Sequence, residues 1–368
     1  MQTLSLCMIV KDEENNIESC LKKATSIADE IVIVDTGSKD RTKEICKRYN
    51  ARIYDFPWCG NFAAARNYGI NKATGKWILW MDADEILEIN DLQGWKKALA
   101  SNQQLFWAIS IINYIGDLPT DPSKAYIHAQ WRVFRNGIKI RFINDIHEQL
   151  DLSELNVDTT NIKKLPAIIH HYGYMNEEVI LKKKHERNLT MLLEASKKER
   201  YNPWVDYHLA SEYYRIKEYL QAFFQLNKAI IHFLDDQQIP PSIVYKLKYD
   251  TLLAMGSYDG ALTGIDKAIQ MYPDYVDLYY YKGLLLFIKK QFEEAKKIFS
   301  FCLELGEEHV QHLVMRGVGS FHALYMIGKC ELELGRKELA IDIFEKALRK
   351  YPFYEQLTQQ LQNMKGKE

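Results

Sequence analysis

Over the first hundred residues, short apolar runs alternate with amphipathic stretches, and few folds accept that order. Leu4–Val10, Glu30–Asp35, Arg52–Phe56 and Trp77–Asp82 read as strands. Asn15–Ser26, Asp40–Tyr49 and Asn61–Ala73, lying between them, carry helical periodicity. Strands and helices in strict alternation build a parallel sheet covered on its faces by helices. The pattern changes over 105–170. There Leu105–Tyr114, Ala129–Phe134 and Ile138–Ile143 read as strands with no long helix between them, which predicts a mixed or antiparallel section on one edge of the sheet. From about Glu177 onward every segment reads as helix. A chain of 368 residues accommodates two domains. The expected division is an α/β domain over 1–175 and an all-α domain over 176–368.

The helical part repeats. Ala222, Ala261, Ala295 and Ala340 share one frame: four residues on stand Leu226, Ile265, Phe299 and Phe344, then Ala229, Ala268, Cys302 and Ala347. Twelve residues before each alanine stand Ala210, Tyr249, Gly283 and Gly328. Small residues at fixed offsets let paired helices approach, and aromatics fill the gaps between them. This resembles the tetratricopeptide pattern, in which stacked helix pairs bury a continuous core. The unit starts lie roughly 34 to 45 residues apart, so some connections are long. Tyr249, at a position that is normally small, weakens the second unit.

Composition removes several function classes. A formal net charge of −1 gives no electrostatic footprint for nucleic acid or an acidic membrane. No run approaches the roughly 18 uncharged apolar residues of a membrane span. Met1–Val10 has no basic region and is followed at once by Lys11, Asp12, Glu13 and Glu14, so no signal peptide is expected and the cytosol is the expected location. Cys7, Cys20, Cys46, Cys59, Cys302 and Cys330 form no CxxC pair; buried reduced thiols are expected, and a structural zinc site is not supported. Neither a GxGxxG after the first strand nor a P-loop is present, which argues against dehydrogenases and P-loop NTPases.

Acidic residues instead recur at the carboxyl ends of the strands, the edge at which open α/β sheets bind ligands. The first cluster is Ile9-Val10-Lys11-Asp12-Glu13-Glu14, which also reads simply as acids near a helix N-terminus. The second is Val34-Asp35-Thr36-Gly37-Ser38-Lys39-Asp40, where Asp35 is placed either to bind a ribose hydroxyl or to hold a turn. The third, Asp82-Ala83-Asp84-Glu85, follows the apolar run Trp77–Met81. Residues two apart in an extended segment point the same way, so Asp82 and Asp84 are expected to face one Mg²⁺ or Mn²⁺ ion together.

Taken in order, Met8-Ile9-Val10-Lys11-Asp12-Glu13, Val34–Asp40, Ala65-Arg66-Asn67 and Trp77–Glu85 resemble family 2 glycosyltransferases over roughly residues 1–100. The resemblance implies a GT-A fold and a nucleotide-sugar donor such as a UDP-hexose. It places Val10, Lys11, Asp12, Glu13 and Asp35 on the nucleotide, Arg66 near the diphosphate or base, and Asp82, Ala83 and Asp84 on donor and metal. Trp131-Arg132-Val133-Phe134-Arg135-Asn136, Ile146-His147-Glu148 and Ile169-His170-His171-Tyr172-Gly173-Tyr174 resemble blocks of members that bear tetratricopeptide repeats. The domain order is similar to that of bacterial glycosyltransferases that modify bacteriocin precursors. Glu148 or His147 is then a candidate base for the acceptor, and His171 a candidate third metal ligand.

The resemblance implies inverting transfer to a peptide, protein or glycan acceptor. Tyr207, Tyr213, Tyr245, Tyr279 and Tyr325 are expected at exposed positions of the repeats, there to hold a polypeptide acceptor or a partner; packing between helices and support of a homodimer are the plainer readings. A catalytically inactive scaffold is the alternative function, opposed by the intact Asp82, Asp84 and Arg66. A nucleotidyltransferase would need a glycine- and Arg/Lys-rich loop where Ile9–Glu14 stands.

Overall fold

The computed structural model of the chain describes residues 3–101, 103–155, 162–175 and 184–365. It divides into two compact units. One comprises Met1–Thr120 with His128–Lys184, and the other Asp121–Ile127 with His185–Glu368. The expected boundary at 175/176 and the helical onset near Glu177 fall in a stretch outside the described residues.

In the first unit, β1 (Leu4–Val10), β2 (Glu30–Asp35), β3 (Arg52–Asp55) and β4 (Trp77–Trp80) pair in parallel in the order β3-β2-β1-β4. Between them run α1 (Ile17–Ala24), α2 (Thr42–Arg48) and α3 (Phe62–Ile70). Strands β1, β2 and β4 are apolar at consecutive positions because both faces are covered, whereas the edge strand β3 is polar and exposed at its ends. Leu6, Met8, Ile33 and Leu79 enter one core, while Cys7, Val32, Ile78 and Trp80 enter another with Phe134 and Phe142.

Beyond β4 the sheet is mixed, as expected. The order continues through β7 (Ala125–Arg135), β6 (Phe106–Tyr114), β10 (Lys164–His171) and β5 (Glu85–Ile89). β7 is antiparallel to β4, β10 is parallel to β6, and β5 is antiparallel to β10. Strand β5 and helix α4 (Leu92–Ala100) are additions to the sequence reading. Of Ile138–Ile143 only Phe142–Ile143 is strand (β8), paired with β9 (Gln149–Leu150). Gly137, in a left-handed turn at φ 80°, separates this small hairpin from β7.

The second unit is helical. After α5 (Lys184–Ala195) come four pairs: α6 (Trp204–Arg215) with α7 (Tyr219–Asp235), α8 (Ser242–Ala254) with α9 (Tyr258–Met271), α10 (Val276–Ile288) with α11 (Phe292–Leu305), and α12 (Phe321–Glu333) with α13 (Lys337–Lys350). Helix α14 (Glu355–Lys365) follows. The framed residues Ala222, Ala261, Ala295 and Ala340 are all fully buried. A Cβ on Gly283 would lie 2.6 Å from the Phe299 ring, and one on Gly328 would collide with Phe344, so glycine here makes room for the aromatic of its partner helix. Tyr249 is accommodated differently: its hydroxyl occupies the space beside Gly264, next to Ile265 in the frame. The longest spacing is explained by residues 306–320, where Val314–Met315 (β11) pairs with Ile127 and Tyr126.

Two expectations need correction. Cys59 is exposed, whereas the other five cysteines are buried. Tyr207 is buried, and Tyr213, Tyr245, Tyr279 and Tyr325 are only partly exposed. Tyr245, Tyr279 and Tyr325 pack against the helical core, because a tyrosine ring at an inter-helix position buries much of its apolar body, and the Tyr279 hydroxyl donates to the Pro273 carbonyl. No described helix is long and apolar enough to cross a membrane.

Candidate active site

Helix α3 and strand β4 bring the central charges together. Asn61 caps α3 by accepting from the Ala64 amide, and its side chain also donates to Asp145 at 2.5 Å. One turn later Arg66 is buried, and its Nη2 lies 2.8 Å from Asp82 while its Nε donates to Glu148 at 2.5 Å. Burial opposes the Arg66 charge, but Asp82 and Glu148 outweigh it and hold the guanidinium protonated. Burial also disfavours ionised Asp82, yet Arg66 and Arg132 bring its pKa below the usual carboxylate range. Two charge-assisted bonds to one guanidinium fix both carboxylates in place.

Trp80 ends β4 between two cations, with the Arg66 guanidinium 4.6 Å from the ring centroid and that of Arg132 3.7 Å from it. Arg132, on β7, grips buried Glu85 with both terminal nitrogens at 2.6 and 3.1 Å. Glu85 accepts in turn from the Asp82 amide at 2.9 Å. Arg132 and Glu85 therefore brace the acidic turn, a role that their sequence blocks did not assign. The available signal was a charge inside an apolar strand, which needs a buried partner.

The expectation that Asp82 and Asp84 face one ion from an extended segment is not met. The chain turns after β4, with the Glu85 amide donating to the Asp82 carbonyl, and a turn breaks the two-residue alternation. Asp82 faces Arg66, whereas Asp84 faces His171 of β10, Oδ1 to Nε2, at 3.5 Å. A Cβ on Gly173 would fall 2.5 Å from both Asp84 Oδ2 and His171 Nε2, so these two groups converge on one small space. Asn113 Oδ1 accepts from His171 Nδ1 at 2.8 Å, which puts a proton on Nδ1 and turns Nε2 toward Asp84. Burial lowers the His171 pKa, but the Asp84 hydrogen bond and charge, with Glu85 and Asp82, raise it overall. Among the described residues no three His, Cys, Asp or Glu side chains are arranged to hold a metal, so Asp82, Asp84 and His171 are not preassembled as a three-ligand set.

The nucleotide-side candidates meet at one edge. Val10 and Asp35 are register partners, and the Thr36 amide donates to the Val10 carbonyl. Buried Asp35 accepts from the Gly37 and Ser38 amides, both at 3.1 Å, and lies 3.2 Å from Lys43. Its carboxylate thus holds the turn, the plainer of its two readings. Lys11 is exposed. Asp12 sits in left-handed backbone at φ 53°, accepts from the Lys39 amide at 2.7 Å and donates its own amide to Ser38. The Glu13 amide donates to Thr42 at 2.8 Å. Residues 12–14 and 36–42 are therefore one laced pair of loops. His147 also has positive φ, at 52°, and so leads Glu148 in from a sharply bent segment. Ala83 is buried beneath the acidic turn.

Comparison with known proteins gives the architecture its place. Residues 5–150 match Glycosyl transferase family 2, and 265–297 and 322–353 match tetratricopeptide repeats. A TPR repeat-containing protein of Synechococcus elongatus is 36% identical over 180 residues, 47% of this chain and only 43% of its own length. The SPbeta prophage-derived glycosyltransferase SunS of Bacillus subtilis is 26% identical over 300 residues, covering 78% of this chain and 68% of that protein. An uncharacterized glycosyltransferase of Rickettsia prowazekii is 27% identical over 50% of this chain and 64% of its own. Among solved structures, a thermophilic TPR protein of Thermus thermophilus covers 51% of this chain and 94% of itself at 16% identity, with a TM-score of 0.38, too loose a likeness to carry an argument.

Proposed function

We propose that this chain, a family 2 glycosyl transferase domain of the GT-A kind followed by tetratricopeptide repeats, moves a sugar from a nucleotide-diphosphate donor to a peptide, protein or glycan acceptor. The observation that carries this reading is the chain Asp82–Arg66–Glu148, buried at Arg66 and open at Asp82, at the carboxyl end of β4, where an open α/β sheet binds its ligand. A structural ion pair does not need an acidic turn braced from behind by a second pair, Glu85 with Arg132. Preorganised charge of this kind stabilises what develops at a reacting centre.

The donor is read as a UDP-hexose, with the laced loops 12–14 and 36–42 and Asp35 forming the nucleotide edge. The cofactor is read as Mg²⁺ or Mn²⁺. Asp84 and His171 fit such an ion, because a carboxylate oxygen and an imidazole nitrogen converge above Gly173 and Asn113 fixes the imidazole tautomer. When bound there, the ion would supply positive charge to the departing diphosphate. Arg66 holds Asp82 and Glu148 at fixed positions. Glu148 would take the acceptor's proton as transfer proceeds with inversion, the adjacent His147 being the alternative base. The repeats would receive the polypeptide acceptor on their stacked surface. Bacteriocin-like precursors are one acceptor class within this reading.

The test is a thermal-shift panel of nucleotide sugars on the full chain, with and without Mn²⁺. A ligand that binds only the native state at a hundredfold excess over Kd stabilises it by about 2.7 kcal/mol. A shift for one nucleotide family, larger with Mn²⁺, is the expected result. A folded protein that no nucleotide sugar shifts would remove the reading.

A further inference from the structure

Helix α7 is apolar on both sides. Its inner face buries Ala222, Leu226, Ala229 and Phe233. Its outer face carries Leu220, Phe224, Ile231 and Leu234, which are 68%, 63%, 58% and 57% exposed. At 3.6 residues per turn these four lie within an arc of about 80° and along about 21 Å of helix. The repeat frame supplies an internal control. Where α7 has Leu220, the later pairs have Asp259, Glu293 and Glu338. Phe224 corresponds to Thr263, Lys297 and Asp342, and Ile231 to Gln270, Glu304 and Arg349. The same structural position is polar in three pairs and apolar in one, so the fold does not require this stripe. A contiguous exposed apolar stripe on an otherwise polar helix position marks a contact surface.

We infer that the outer face of α7 is a docking surface for a second copy of this chain, with the two α7 helices crossing antiparallel about a two-fold axis near Asn227. The spacing carries the choice of partner. Leu220 and Leu234 lie seven residues to either side of Asn227, and Phe224 and Ile231 lie three and four away. An antiparallel pairing about that point sets Leu220 against Leu234 of the second copy and Phe224 against its Ile231, which is the self-complementarity that a two-fold interface requires. The ends match in charge as well. Exposed Lys217 precedes the helix, exposed Asp235 and Asp236 close it, and antiparallel pairing brings each lysine to the other copy's aspartates. Lys228, beside the stripe, leans instead to Asp206 at 3.1 Å, so that Asn227, at the centre of the arc, is the polar residue between its two apolar halves.

Sedimentation equilibrium of the full chain tests this. The expected mass is twice the 43.1 kDa of one chain at tens of micromolar protein. Phe224→Glu combined with Ile231→Glu is expected to give a monomer with unchanged far-ultraviolet circular dichroism, whereas Thr263→Glu, at the equivalent position of α9, leaves the dimer intact. Lys217→Asp is expected to weaken the dimer about tenfold, and adding Asp235→Lys and Asp236→Lys to recover it. A monomeric wild-type chain over the whole range, a dimer that persists in the double glutamate variant, or a charge swap that fails to restore association would each overturn the assignment.

Discussion

Both units bury a cation between two carboxylates, and the two arrangements serve different ends. In the α/β unit, Arg66 lies between Asp82 and Glu148. In the helical unit, Lys246 lies 3.0 Å from Asp250 and 3.6 Å from Asp277, with the Tyr281 hydroxyl joining Lys246 to Asp250 and the Tyr126 ring 4.7 Å away. The Lys246 group is enclosed at the cation and at Asp277, 4% and 1% exposed, with aromatic rings over the ammonium and the Met315 amide on Asp277, while the Asp250 side chain is 23% exposed. The Arg66 group is open on one side, since the Asp82 side chain is 34% exposed while Arg66 is 7% exposed. Residue types alone do not distinguish a site from a staple. What distinguishes them is position: one group ends a β-strand of an open sheet, and the other joins helices to a strand segment.

The two groups fail differently when broken. Glu148→Gln is expected to slow transfer by about 10²–10⁴-fold while leaving donor affinity close to wild type. Single-turnover kinetics with separate donor titration would check this, and a loss confined to donor affinity would make Glu148 a positioning residue for Arg66. Lys246→Met should instead leave donor affinity untouched and lower stability by about 3–5 kcal/mol, because buried Asp277 loses its cation. Urea denaturation of the helical signal reads this out; a stable variant with impaired donor binding would invert the comparison.

Smaller effects sharpen the contrast within each unit. Gly328→Ala places a methyl group against Phe344 and is expected to cost about 1–3 kcal/mol of stability without changing donor KM. Asp35→Ala should raise donor KM more than it lowers kcat, because Asp35 holds the turn that shapes the nucleotide edge. Steady-state kinetics at saturating acceptor decide that case, and an unchanged donor KM would take Asp35 out of the site.

The parallel half of the sheet was legible because β1, β2 and β4 are short apolar runs with acids at or just beyond their carboxyl ends, and they begin where the pattern places them. The repeat frame was legible for a similar reason, small residues recurring at fixed offsets. Strands β5 and β10 were not read as full strands. They pair with each other from residues 85–89 and 164–171, and long-range pairing leaves little local signature. The site was legible in its residue types and less so in its directions. Nothing local to Asp82-Ala83-Asp84 announces the turn that sends Asp82 to Arg66 and Asp84 to His171, and Asn113, Glu85 and Arg132 act through partners on other strands.

The central claim is that the acidic edge of the sheet binds a nucleotide-diphosphate sugar with the help of a divalent ion at Asp84. Isothermal titration of UDP-hexose into the full chain, with and without Mn²⁺, and into Asp84→Ala under the same conditions, tests it directly. Saturable binding that Mn²⁺ strengthens in the wild type, with the Mn²⁺ effect absent in a folded Asp84→Ala variant, is the predicted result. An equal Mn²⁺ effect in both proteins, or no binding of any nucleotide sugar by folded wild-type chain, would contradict the account.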